Sequence, residues 1–130
     1  KGIVNPEDAE KAIRLGVDGM IVSNHGGPHL DAGQSTIKPL TELAKEFGEK
    51  TTLMIDSGLR AGPDIASALA SGAQFTFLGR SFMYGVGALG ESGGDHTIAM
   101  LKKQLQQVME QVGCERIADF PKHLIPSRSD

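Results

Sequence analysis

The sequence predicts a parallel α/β fold in which short buried strands alternate with covering helices. Three observations carry this prediction. Residues 20–23, 51–55 and 74–78 are short, near-continuous apolar runs of the kind found in strands buried on both faces. The stretches between them repeat apolar residues at helical spacing and close on glycine. Polar and glycine residues gather after each strand, at the end where barrels and doubly wound sheets place ligands.

Each element has its own local signals. Lys1-Gly2-Ile3 reads as the end of an earlier strand. A helix starts at Asn5-Pro6, a cap and a first-turn proline, followed by Glu7, Asp8 and Glu10 at the positive end of the dipole. Ala9, Ala12 and Ile13 form its inner stripe, and Gly16 ends it. After strand 20–23, residues 24–38 are long, polar and glycine-rich. A second helix starts at about Pro39, with Leu40, Leu43, Ala44 and Phe47 on one face and Gly48 as its stop. Strand 51–55 leads into Asp56-Ser57-Gly58, and a third helix follows from about Pro63. Ile65, Ala66, Leu69 and Ala70 face inward there, and Gly72 closes it. Strand 74–78 ends in Gly79-Arg80 and gives way to a glycine-rich passage. Residues 96–112 form the clearest amphipathic helix, with a stripe of Ile98, Leu101, Leu105, Val108 and Met109. Residues 121–130 are expected to be a polar, mobile tail. Three or four such units amount to half of an eightfold barrel.

Composition narrows the function classes. A chain of 130 residues is one ordinary domain with enough length to bury a core. A net charge of -3 gives no electrostatic reason to expect nucleic acid or an anionic membrane as partner. Aromatic residues are only 5% and Trp is absent, which does not suit a base-stacking surface. No apolar run approaches the roughly 20 residues that span a bilayer, and nothing at the start reads as a signal peptide. Cys114 is the only cysteine, so no internal disulfide forms and a reducing cytoplasm is the expected location.

Two kinds of residue could carry chemistry. "DSGLR" at 56–60 and "LGR" at 78–80 each place glycine and arginine just after a strand and before a helix. Glycine lets backbone N–H groups approach an anion, the helix N-terminus adds a favourable dipole, and arginine supplies a planar fork. Gly58 with Arg60, and Gly79 with Arg80, would then converge on one phosphate; plain turns with solvated arginines fit the same letters. No GxGxxG or Walker sequence is present. His25, at the end of strand 20–23 and before two glycines, suits general-base work near neutral pH, although a lone loop histidine usually has no such role. His29 and His96 carry less signal. Ser23 and Ser57 lack a nucleophile-elbow context, and no spacing resembles a metal site. Lys1, if it ends a neighbouring strand, points at the same site.

Taken together, "KGI", "VSNHGG..LD", "DSGLR.G.D" and "LGR" resemble the FMN-dependent alpha-hydroxy acid dehydrogenase and oxidase family, in family order and over nearly the whole chain. The resemblance implies the C-terminal half of a TIM (β/α)8 barrel, spanning residues 1–130. It implies FMN as cofactor and oxidation of an L-2-hydroxy acid, L-lactate first, to the 2-oxo acid. Lys1 matches the lysine near flavin N1 and the C2 carbonyl, and Ser23 a serine at the flavin ring. His25 matches the base that takes the substrate hydroxyl proton while hydride passes to flavin N5. Asp56, Ser57, Gly58, Arg60, Gly79 and Arg80 match the segment that holds the ribityl chain and phosphate.

The resemblance has two departures. Where the family reads "SNHGGRQLD" and its arginine holds the substrate carboxylate, this chain has Pro28, which has no side-chain donor. The family's active-site tyrosine and the aspartate that orients the histidine belong to the first half of the barrel. A non-catalytic module that binds FMN or phosphate is therefore the alternative reading. The resemblance also implies a homo-oligomer, often a tetramer, and is compatible with a peripheral place at the inner face of a membrane.

Overall fold

The computed structural model describes residues 1–26 and 35–124. Helix α1 (Pro6–Arg14) leads to strand β1 (Gly19–Val22), helix α2 (Ile37–Phe47) to β2 (Thr52–Ile55), and α3 (Gly62–Ala70) to β3 (Phe75–Thr76). Helices α4 (Arg80–Leu89) and α5 (Gly93–Val112) follow, then a 3₁₀ segment, Ile117–His123. The strands are parallel and lie in chain order, with Val22 opposite Ile55 and Ile55 opposite Thr76. Ile3 makes an isolated parallel bridge to Val22, which places the first residues beside β1. In-order parallel strands with helical crossovers are the arrangement expected from the sequence.

Local chemistry explains the helix ends. Asn5 Oδ1 accepts the Glu7 amide at 2.8 Å, which caps α1, and Pro6 occupies its first turn. Helix α2 starts at Ile37, two residues before the expected Pro39, because a proline is tolerated throughout the first turn, where amides have no helical partner.

One core lies between the sheet and the first three helices. Met20, Val22, Leu53 and Ile55 meet Ala9 of α1, Leu40, Leu43 and Phe47 of α2, and Ala68 of α3. A second cluster joins Ala66 and Leu69 of α3 to Leu105, Val108 and Met109 of α5, closed by Cys114 and Phe120. The strands do not show the two-sided burial expected of them. Burial alternates along β1 and β2, and Phe75 and Phe77 are 57% and 41% exposed, because the described helices cover only one face of the sheet.

Other expectations need correction. Strand β3 holds two residues in place of the expected 74–78. The glycine-rich passage after Arg80 is a helix, α4, and α5 begins at Gly93, three residues before His96. Two glycines there serve contact between helices. A Cβ on Gly85 would lie 2.1 Å from Thr97 Oγ1, and one on Gly93 would lie 2.3 Å from the Gly85 carbonyl oxygen. Ile98, placed on the inner stripe of α5, is 47% exposed, since α5 turns Thr97 and Leu101 inward instead. Within the expected tail, the 3₁₀ segment runs through Pro121 to His123, next to the buried Phe120. Residues 125–130 lie outside the described residues.

The α4–α5 contact gives a direct test. Gly93→Ala forces the backbone of one helix off the other and is expected to cost about 1–3 kcal/mol. A urea midpoint equal to that of the parent protein would refute the close-approach account.

Candidate functional site

The ends of the neighbouring strands bring the predicted residues together. Lys1, His25, Asp56, Ser57, Gly58, Arg60, Gly79 and Arg80 all line one open cavity of about 570 Å³ at the carboxyl edge of the sheet. That volume is within the usual range for a small-molecule or cofactor site. Ser23 does not line it. It lies just beneath, 3% exposed, and its Oγ accepts hydrogen bonds from Lys1 Nζ at 2.7 Å and from the His25 amide at 3.1 Å. The side of the cavity toward α4 is apolar, formed by Phe77, Leu78 and Met83.

The polar floor is one connected network. Lys1 Nζ donates to Asp56 Oδ2 as well as to Ser23, which makes an ion pair at the rim. Ser57 Oγ donates to Asp56 Oδ1 at 2.7 Å. His25 itself is exposed and sits at φ +61°, in the left-handed region that few non-glycine residues enter. Burial alone would raise the Asp56 carboxyl. Hydrogen bonds from Lys1, Ser23 and Ser57, together with the Lys1 charge, outweigh it and hold Asp56 below its ordinary value of 3.8.

A depressed carboxylate contributes stability above its unfolded pKa, and that contribution is lost as pH falls through the folded value. Asp56→Asn is therefore expected to lower the urea midpoint by a constant amount at neutral and mildly acidic pH. The gap between variant and parent should close below pH 3.8, where Asp56 protonates. A gap independent of pH down to acid unfolding would show that the charge of Asp56 contributes nothing.

The two glycine-arginine loops are not equivalent. The Asp64 carboxylate accepts the amides of Arg60 at 2.8 Å and Ala61 at 3.0 Å, so the N-terminus of α3 already has its anion. Both loops were expected to offer a helix end; only α4 does. Its cap position, Gly79, makes no side-chain capping bond. A Cβ built on Gly58 or Gly79 would meet nothing within 4 Å, so open space faces both backbones. Arg60 Nη1 rests on the Leu59 carbonyl at 2.9 Å, and Arg80 Nη2 reaches the Gly26 carbonyl at 3.4 Å. Ser81 Oγ donates to the Arg60 carbonyl at 2.7 Å and ties the loops together. Two guanidinium groups, an uncapped helix N-terminus and glycine-lined space form a cradle that fits a phosphate.

Some of the site was not signalled by the sequence. Thr36, 2% exposed, donates to the Asp56 carbonyl at 3.1 Å and fixes the start of α2 to this floor. A threonine just before a helix was a signal that could have found it. The α4 N-terminus was hidden by the glycines of that helix. Pro28 and His29 lie outside the described residues. His96 is exposed in the first turns of α5 and does not line the cavity.

Residues 1–127 match the family described as FMN-dependent dehydrogenase. The chain is 41% identical over 130 residues to a peroxisomal (S)-2-hydroxyacid oxidase of Arabidopsis thaliana, covering all of this chain and 36% of that protein. It is 40% identical over 122 residues to an L-lactate dehydrogenase of Actinobacillus pleuropneumoniae, covering 94% of this chain and 32% of that one. Among solved structures, a soluble mutant of the membrane-associated (S)-mandelate dehydrogenase of Pseudomonas putida superposes with a TM-score of 0.88 at 40% identity. That match covers 94% of this chain and 35% of that one. The chain thus spans about a third of the length of the relatives it matches. The structural neighbours are TIM-barrel flavoenzymes, in agreement with the parallel α/β order seen here.

Proposed function

The chain belongs to the FMN-dependent dehydrogenase family, and on that footing we propose that it forms the phosphate-binding and proton-accepting part of an L-2-hydroxy acid-oxidising enzyme. L-Lactate is the first substrate to test, and the relatives named lactate dehydrogenase support that choice. The described strands correspond on this reading to the C-terminal half of a barrel. A homo-oligomer in a reducing cytoplasm belongs to the same proposal.

The observation that carries it is the single cavity shared by a histidine, a lysine and a two-arginine anion cradle. Gly58, Arg60, Gly79 and Arg80 would hold the cofactor phosphate, with the α4 dipole behind it. Asp56 would take a ribityl hydroxyl, for which a carboxylate is a suited acceptor, and Ser57 would border the same chain. When bound, FMN supplies the two-electron acceptor for the hydride of the substrate carbon. The protein does the rest. His25 accepts the substrate hydroxyl proton at an imidazole nitrogen. Lys1 keeps a positive charge beside the cofactor, held in place by Ser23 and Asp56. Phe77, Leu78 and Met83 would offer the cofactor apolar contact on the α4 side.

Pro28 favours the second reading, a module that binds FMN without turnover. The loss of a carboxylate-pairing arginine costs about 2–5 kcal/mol in a buried ion pair. One experiment separates the two. The FMN-bound protein, mixed with L-lactate in the absence of oxygen, is expected to lose its visible flavin absorbance. Bound flavin that keeps its colour under excess L-lactate, glycolate and mandelate would leave only the binding module.

A further inference from the structure

The hydroxyl of Ser57 uses its full hydrogen-bonding capacity. Besides donating to Asp56 Oδ1, Oγ accepts the amide of Asn24 at 3.3 Å and that of Gly26 at 3.1 Å. A hydroxyl has one proton and two lone pairs, so nothing is left over. The two amides it holds are those on either side of His25, that of Gly26 being shared with Asn24 Oδ1 at 3.0 Å. Ser57 reaches them from φ +75°, a conformation that costs an L-residue free energy and persists only where its surroundings hold it. His25 and Ser57 are the described non-glycine residues with positive φ, and they stand at the ends of adjacent strands. Thr36 then fixes the far end of the same connection to the Asp56 carbonyl. The segment that carries His25 is pinned at both ends to the dipeptide Asp56-Ser57.

We propose that Ser57 is a positioning residue for His25, beyond any contact it makes with cofactor. Its hydroxyl holds the turn 24–26 so that the imidazole is presented to substrate. Through Asp56 the same hydroxyl keeps that turn in register with the Lys1 ammonium. The proposal rests on the reading of His25 as proton acceptor.

Two substitutions separate the hydroxyl from the backbone strain. Ser57→Gly removes the hydroxyl and relieves the positive φ, whereas Ser57→Ala removes the hydroxyl and keeps the strain. The glycine variant is expected to melt above the alanine variant, yet both should lose function alike. In the FMN-bound protein, hydrogen exchange of the Asn24 amide should rise by up to roughly tenfold in both, the scale of one lost hydrogen bond, and that of Gly26 by less, since Asn24 Oδ1 also accepts it at 3.0 Å. The Asp56 amide, bonded to the Val22 carbonyl at 3.1 Å, should stay protected and report an intact sheet. The kcat for anaerobic flavin reduction should fall about tenfold in both variants while KM stays within about twofold, as for a displaced base.

Unchanged exchange at Asn24 and Gly26 overturns the proposal. So does a glycine variant with parental kcat beside an impaired alanine variant, since strain alone would then be at work. A parent protein whose flavin is not reduced by any hydroxy acid overturns the functional reading instead. The exchange comparison then judges the pinning by itself.

Discussion

His25→Asn is expected to slow substrate-driven flavin reduction by roughly 10²–10⁴-fold, the range for loss of a positioned general base. Asparagine is the informative choice because His25 sits at φ +61°, where asparagine is among the few side chains that are well tolerated. The turn 24–26 should therefore persist. Its supports are the amide of His25 on Ser23 Oγ, the amides beside it on Ser57 Oγ and the Gly26 amide on Asn24 Oδ1, and none of these involves the imidazole. The affinity for FMN should be unchanged, because the arginines and glycines of the cradle are untouched. Stopped-flow mixing of FMN-bound variant with L-lactate, without oxygen, measures the first quantity, and a flavin fluorescence titration measures the second. A variant rate within about threefold of the parent would mean that the proton goes elsewhere. A loss of FMN affinity equal to the loss of rate would mean that His25 acts in binding.

Where the sequence was legible, one local signal decided the outcome. Asn5-Pro6 marked the start of α1, and the apolar runs marked β1 and β2 within a residue. The order of parallel strands followed from their alternation with helices. Helix α4 was not legible. Gly85 and Gly87 each lower helix propensity by about 1 kcal/mol relative to alanine, so the segment reads as loop. Contact with α5 overrides that propensity, and Gly85 and Gly93 are the residues that permit the contact. The exposed face of the strands was hidden for a related reason. Phe75 and Phe77 look like core in one dimension, and only the placement of the helices shows which face is covered.

The site divides in the same way. His25, the glycines and the arginines could be picked out because each is an unusual residue at the end of a strand. The sharing of labour among them could not. Asp64 reads as an ordinary first-turn acid, yet by capping α3 it leaves α4 as the open helix end. Ser57 reads as a turn residue, and its three hydrogen bonds depend on a backbone angle that no spacing rule reveals.

That asymmetry sets the second large expected effect, the loss of FMN affinity in Arg60→Ala, Arg80→Ala and the double variant. A hydrogen bond to a charged group contributes about 1.5–3 kcal/mol, so each arginine should account for roughly 10- to 150-fold in Kd. The double variant should lose more than either single variant but depart from the product, because both guanidinium groups would share one phosphate as partner. Riboflavin supplies the control, since it has the ring and ribityl chain but no phosphate. Its affinity should be the same in all three variants and the parent. If it falls in step with that of FMN, the arginines hold the cavity together and do not recognise phosphate. The double variant should still prefer FMN over riboflavin by a few-fold, since the α4 N-terminus remains and contributes about 0.3–1 kcal/mol toward an anion. Complete loss of that preference would remove the helix from the account and leave the arginines alone as the phosphate site. Arg80→Lys refines the point. It keeps the charge at the first residue of α4 but not the planar fork, so an affinity near that of the alanine variant would identify bidentate geometry, not charge, as what Arg80 provides.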